Sequence, residues 1–433
     1  MQSTLQNIIM DKQIIKTIIG EKQQEIVGLE LLRRNNQFEE NTSYVLLGIR
    51  RAGKSYTLYQ DIQRHIVSGK SRIEDVLYVN FEDERIAFIK SEELGDILTA
   101  YQEMYDQKPP LVYLDEMQNV TGWEKFARRL TESKYRVMIT GSNAKMLSKE
   151  IASTLGGSYI ARDIHPFSFE EYLQFHGLLL DKNWAYQPDT RLKVVRYFNN
   201  YFHYGGFSES FEKQNKREWL TSLYQKILMG DIVERNKVRH PRVLRLLARK
   251  LAESVMQPTT LKRLEHIIKS SGDNISQPIL KDYLEYMEDA YLIFSIPNLV
   301  SPLTEQQTIK KRYFADNGIL NNFLFHGETK LLENIVAVHL NRTYHNTKEE
   351  LRLFYYLKGV EVDFCVPESN LAIQVTYKID DVDTYDREVG GLFKFLKSFK
   401  EYHGIIVTWD TEKSIQEDGI TIEVVPVWKW LLE

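Results

Sequence analysis

Apolar and polar positions over the first 165 residues keep two rhythms. Short runs rich in β-branched and aromatic residues read as strands: SYVLL (43–47), VLYVNF (76–81), LVYLD (111–115), RVMIT (136–140) and SYIARDI (158–164). Between them, SYTLYQDIQRHIV and WEKFARRLTES carry apolar residues at helical spacing. Strands separated by helices predict crossover connections and a parallel sheet. In HPFSFEEYL, Pro166 bars a helix and Ser168 caps the next one, with Glu171 three residues on. From about 190 to 300 the pattern is largely helical, as in PRVLRLLARKLAESVM. The stretch from Thr259 to Ile296 reads as helix, Gly-containing turn, helix and strand, a helix-turn-helix with a wing. Beyond 300, six strand-like runs begin with KKRYFAD and end with ITIEVVPVW, and helices are expected at 331–344 and 384–400. The expected domains are 1–190, 191–300 and 301–433, the last again α/β.

The first strand stops at a loop of unusual composition. Gly48-Ile49-Arg50-Arg51-Ala52-Gly53-Lys54-Ser55, with Tyr56 following, fits the pattern G-x-x-x-x-G-K-[ST] between a strand and a helix. Its glycines let backbone N–H groups turn inward around phosphates. Lys54 then reaches the β- and γ-phosphates, and Ser55 ligates Mg²⁺. The strand LVYLD ends in Asp115 and Glu116. An aspartate there suits a metal site, and the adjacent glutamate suits a general base for water. A third strand runs into Ser142 and Asn143, small polar residues suited to the γ-phosphate and the attacking water. These residues predict a P-loop nucleotide fold with ATP and Mg²⁺ as its cofactors.

Composition narrows the setting. The 433 residues carry a formal net charge of -4, so no global basic field argues for nucleic acid. Cys365 is the single cysteine, which excludes an intramolecular disulfide and fits a reducing compartment. No run of about 20 apolar residues occurs, so a cytoplasmic protein without a membrane role is expected.

Together with YVNFED, LTESKYRVMITGSNAKMLSKE, HPFSFEEYL, YGGFSE and GDIVERN, these motifs resemble the prokaryotic AAA-type ATPases that carry a C-terminal restriction-nuclease-like domain. The resemblance covers nearly the whole chain. It implies an AAA-like ATPase domain, an α-helical winged-helix domain and a nuclease-like α/β domain of PD-(D/E)xK type. Where such proteins usually read Leu-x-Gly-Arg, this chain has Leu155-Gly156-Gly157-Ser158. Arg128, Arg129 and Arg162 are each able to supply a guanidinium to the γ-phosphate in its place, and slow turnover or a need for an activator is the corresponding expectation. Arg50 and Arg51 are also able to clamp phosphate or a neighbour's surface.

The remaining segments bear on nucleic acid. The recognition helix of the expected winged helix, 276–290, sets Lys281 against Asp282, Glu285, Glu288 and Asp289, which repels phosphate. The most basic stretch is 235–250, with Arg239, Arg242, Arg245 and Arg249. In the last domain, Glu333 and Asp363 fill two carboxylate positions of a metal-dependent nuclease. The third motif reads Gln374-Val375-Thr376, so an amide replaces an anionic ligand and a hydroxyl replaces the lysine. Lys378 is expected on the same strand face as Thr376, about 7 Å away. A nuclease-like fold with a crippled, relic site is expected. The expected function is a nucleotide-driven switch or assembly ATPase that binds ATP and releases ADP, with a protein client or homo-oligomer as partner. ATP is expected between the phosphate loop and the winged-helix side, near YGGF. The alternatives are a nucleic-acid-processing enzyme using the last domain, with DNA not favoured as a partner, and a nucleotide-gated interaction module with little turnover.

Overall fold

The computed structural model describes residues 11–105, 109–144, 154–344 and 350–433. Lys145 to Glu150, part of one family-like stretch, lie outside them, as do the first ten residues. Contacts divide the chain into two compact units, Met1–His165 and Pro166–Glu433.

The first unit is built on strands β1 (Ser43–Leu47), β2 (Val76–Asn80), β3 (Leu111–Asp115), β4 (Val137–Gly141) and β5 (Tyr159–Asp163). They pair in parallel in the order β2-β3-β4-β1-β5. β1 and β4 are buried along their whole length, which explains their unbroken apolar runs. β5 is one of the two edge strands, and its middle three residues are exposed. Helices Lys12–Gly28, Lys54–Val67, Leu94–Met104 and Glu124–Glu132 complete the unit. The carboxyl ends of β1, β3 and β4 lie side by side, the place where open parallel sheets bind ligands.

The second unit starts as the capping pattern predicts. Ser168 Oγ accepts from the Glu171 N–H (3.1 Å), and Glu171 Oε2 accepts from the Ser168 N–H (2.7 Å). The following helix belongs with this unit, so the first compact body ends at His165 rather than at residue 190. Helices Pro241–Glu253, Leu261–Ser270 and Gln277–Asp289 lead to an antiparallel pair, β6 (Ile293–Pro297) and β7 (Lys310–Phe314). Thr259 bridges to Lys310 beside that pair. The KKRYFAD strand thus joins β6 and not the last sheet. That sheet contains β8 (Phe354–Lys358), β9 (Val360–Val366), β10 (Leu371–Val375), β11 (His403–Thr408), β12 (Lys413–Glu417) and β13 (Ile420–Pro426). Its order is β12-β13-β11-β10-β9-β8, with helices Glu328–Thr343 and Val382–Ser398 in the same unit. β12 was not expected, because KSIQE is exposed almost throughout and carries no apolar face. No helix among the described residues is long and apolar enough to cross a membrane.

Candidate functional site

The phosphate loop leaves β1 through Gly48, whose φ is +147°. A Cβ there would sit 2.1 Å from the Ile164 carbonyl oxygen, so only glycine allows the loop to pass. Arg51 (φ 67°) and Gly53 (φ 95°) take further left-handed turns, and the helix begins at Lys54. Lys54 is 4% exposed. Its ammonium donates to the carbonyls of Gly48 (3.1 Å) and Ile49 (3.3 Å) and lies 3.8 Å from Glu116. Ala52 is buried within the loop, while Tyr56 is exposed on the helix. Arg50 donates through both terminal nitrogens to Glu82 (3.0 and 3.1 Å). Arg34 was missed by sequence reasoning. It braces the loop from below, donating to the Ala52 carbonyl (3.1 Å) and the His165 carbonyl (2.9 Å).

Asp115 is fully buried at the end of β3. The hydroxyls of Tyr78 (2.5 Å), Thr140 and Ser55 all donate to it. Burial pushes its carboxyl up, and the charge of Glu116 adds to the shift. Glu116 has left-handed backbone angles, φ 54° and ψ 42°. Its N–H donates to Thr140 Oγ1 (2.9 Å), and its Oε2 accepts from Gln118. Gln118 also donates to Ser142 Oγ (3.3 Å). Ser142 and Asn143 are both buried where β4 ends. The structure therefore brings Lys54, Ser55, Asp115, Glu116 and Ser142 together at the carboxyl ends of the central strands. Beside the loop lies a cleft of about 240 Å³ lined by Asn35, Asn36, Phe38, Arg162 and Ile164. Of the arginine candidates, Arg128 pairs with Glu132 (2.8 Å) on its own helix and Arg129 stands over the Phe126 ring.

A model of an AAA domain family matches residues 40–173, and one for a domain of unknown function, DUF8612, matches residues 195–330. The uncharacterized protein MJ1544 of Methanocaldococcus jannaschii is 33% identical over 405 residues, covering 90% of this chain and 88% of that protein. This chain belongs to the family of that archaeal protein. Its phosphate-loop region is an AAA-type P-loop domain. An uncharacterized protein of Haemophilus influenzae is 28% identical over 405 residues, covering 90% of this chain and 94% of its own. Among solved structures, the Walker-type ATPase PABY2304 of Pyrococcus abyssi aligns with 73% of this chain and 97% of its own, at 16% identity and a TM-score of 0.40. The Orc1 protein of Aeropyrum pernix, solved in complex with DNA, aligns with 76% and 94%, at 14% identity and a TM-score of 0.28.

Outside the AAA domain, the second unit assembles its own polar centre. Glu333, Asp363 and Gln374 are all buried and adjacent, and Gln374 Oε1 accepts from the Asp363 N–H (3.3 Å). Sequence reasoning missed the residue that joins them. Lys311 of β7 is fully buried, 3.0 Å from Asp363, 2.9 Å from Glu361 and 3.5 Å from Glu333. Burial pulls its ammonium down, but the three carboxylates outweigh that and raise it. Tyr313 donates to Glu333 (2.6 Å). Strand period two was the available signal, since it puts Lys311 and Tyr313 on one face. Lys378 does not take the expected place. β10 ends at Val375, and the Thr376 hydroxyl donates to the Lys378 carbonyl (3.1 Å), so the chain has already turned. The glycines of YGGF have a packing role. A Cβ on Gly205 would lie 2.0 Å from the Asp316 carboxylate, and one on Gly206 would lie 2.1 Å from the Phe167 carbonyl.

Proposed function

We propose that the chain is a Mg²⁺-dependent ATPase that works as a nucleotide-driven switch. The observation that carries this reading is the group at the ends of β1, β3 and β4. There a lysine held by two carbonyls faces a buried aspartate and a glutamate across a P-loop. A carboxylate and a hydroxyl meeting there, Asp115 and Ser55, form a hard-oxygen donor set that suits Mg²⁺. When bound, Mg²⁺ neutralises charge on the β- and γ-phosphate oxygens. Loop N–H groups and Lys54 cradle the same phosphates. Glu116 takes a proton from the attacking water. The cleft beside the loop suits the nucleoside, with Asn36, whose buried Nδ2 has no hydrogen-bond partner among the described residues, in its wall. Glu116→Gln is expected to bind ATP as tightly as the natural protein while turnover falls by about 10²–10⁴-fold. Unchanged turnover removes Glu116 from the role of base.

Turnover by the isolated chain is slow in this reading. The Leu-x-Gly-Arg arginine is replaced by Ser158, and Arg128 is paired on its own helix. A protein client or a second copy of the chain then supplies the completing guanidinium.

The three helices, the β6–β7 pair and the Thr259–Lys310 bridge support a winged helix whose second wing strand, β7, carries it past the expected bound at 300 to Phe314. Lys281, Asp282 and Glu285 are exposed on its third helix, so a packing role is favoured over DNA. The mixed sheet over 301–433, with Glu333, Asp363 and Gln374 together, supports a nuclease-like fold. Its site is closed, because the Lys311 ammonium already sits among the carboxylates where a metal ion would have to bind. Incubation of plasmid DNA with Mg²⁺ is expected to leave it intact. Cleavage that disappears in Asp363→Ala overturns this part.

A further inference from the structure

The residue two places beyond the proposed base has chemistry that the switch reading does not use. Glu116 turns the chain into the left-handed region at the end of β3, a conformation that costs a non-glycine residue about 1–3 kcal/mol. The single helical turn Met117–Asn119 follows, with Met117 buried as its anchor. This turn folds Gln118 back over Glu116. One amide nitrogen, Nε2, donates to both Glu116 Oε2 and Ser142 Oγ. The orientation of the amide is fixed by its neighbour. A carboxylate oxygen only accepts, so the nitrogen must face Glu116 and the oxygen must face away. That oxygen, Oε1, is buried and has no hydrogen-bond partner among the described residues. A buried acceptor left unpaired costs about 1–3 kcal/mol, so the site is built to receive a donor there.

We propose that Gln118 positions the attacking water, a role that rests on the ATPase reading above. One O–H of the water faces Glu116 and gives up its proton. The other donates to Gln118 Oε1. The water oxygen forms the new bond to the γ-phosphorus, the bond to the ADP oxygen breaks, and ADP and phosphate leave. The same amide nitrogen holds Glu116 and Ser142 in register, so one side chain spaces the base, the β4 hydroxyl and the nucleophile.

The test uses the full-length chain with Mg²⁺ and ATP, comparing the natural protein, Gln118→Met, Gln118→Glu, Glu116→Gln and the double variant Gln118→Met/Glu116→Gln. Gln118→Met keeps the length of the side chain and removes its polar atoms. Its kcat is expected to fall by about 10²-fold with KM and ATP affinity within three-fold of the natural values. Gln118→Glu keeps an acceptor but sets a second negative charge beside Glu116, and is expected to slow turnover as well. The double variant is expected to be no slower than Glu116→Gln alone, because the two residues act on one water. Gln118→Met turnover within three-fold of natural overturns the proposal. So does a loss of ATP affinity of ten-fold or more, which marks a structural residue, and so do losses that multiply in the double variant. If the natural protein binds ATP and hydrolyses none, the ATPase reading fails and this proposal falls with it.

Discussion

Each unit contains a buried lysine among carboxylates with a tyrosine hydroxyl on one of them, yet the two groups can do opposite things. In the P-loop site, Lys54 touches two neutral carbonyls, and its nearest carboxylate is 3.8 Å away. In the second unit, Lys311 has three carboxylates within 3.5 Å. A desolvated ammonium is expensive to bury, and close carboxylates offset that cost. Lys311 is therefore saturated by its own chain, whereas Lys54 keeps charge to spend on a phosphate. Partner set, not residue type or burial, decides which lysine can bind something.

The largest expected effects come from removing each charge while keeping the stem. Lys54→Met is expected to abolish nucleotide binding, at least 100-fold in affinity, and to leave the denaturation midpoint nearly unchanged. Lys311→Met is expected to do the reverse. It leaves Glu333, Glu361 and Asp363 facing one another, at a cost of about 3–5 kcal/mol in stability. Denaturant titration and fluorescent-nucleotide binding on both variants check the pair. A Lys311→Met protein as stable as the natural one ends the contrast.

A carboxylate that lacks a built-in cation sharpens it. Asp316 lies in the same unit as Asp363, fully buried, and accepts from the N–H groups of Gly206 (2.7 Å), Gly318 (2.7 Å) and Ile319 (3.4 Å). Burial lifts its carboxyl to about 6, against the pull of those donors and of Arg342. An acid with a raised folded pKa gives stability that is full below the ordinary value near 4 and lost as pH rises through about 6. The shift corresponds to at most about 3 kcal/mol. Asp316→Asn is destabilised at every pH, because its NH₂ must face a backbone donor, but it lacks this titration. Urea midpoints from pH 4 to 8 are expected to show the natural protein losing part of its advantage between pH 4 and 6.5 and none above. A gap that ignores pH contradicts the raised carboxyl.

The two sites differed as much in legibility as in chemistry. The P-loop could be read because eight consecutive residues impose its shape, and because each partner sits at a strand end that apolar patterning marks. Gln118, two residues past Glu116, and Arg34, fourteen residues before Gly48, escaped because an amide or a guanidinium outside a motif looks like surface until the backbone turns it inward. The Lys311 centre escaped more completely. Its residues come from β7, β9 and the Glu328–Thr343 helix, and KKRYF reads as an ordinary polar-faced strand until β7 is known to pair with β6. Even so, Glu333 and Asp363 were picked out by motif order, and the missing cation was sought at Lys378, on a strand that had already ended.

The smallest contrast is the most discriminating, because it removes one oxygen atom. Tyr78 donates to Asp115 and Tyr313 donates to Glu333 at nearly equal lengths, 2.5 and 2.6 Å, both fully buried. A buried hydrogen bond contributes about 0.5–1.5 kcal/mol net. Burial raises both carboxyls, so Tyr78→Phe and Tyr313→Phe are expected to lose similar stability, about 1 kcal/mol. Their functional effects should part. Asp115 without the Tyr78 hydroxyl keeps its Thr140 and Ser55 donors but loses its third restraint, so the Mg²⁺ concentration that half-saturates ATP turnover is expected to rise a few-fold. Glu333 faces only Lys311 and its neighbours, so Tyr313→Phe is expected to leave that concentration where it was. Equal shifts in both variants would mean that the phenol acts through general destabilisation. A shift in Tyr78→Phe alone ties the hydroxyl to the carboxylate that holds the metal.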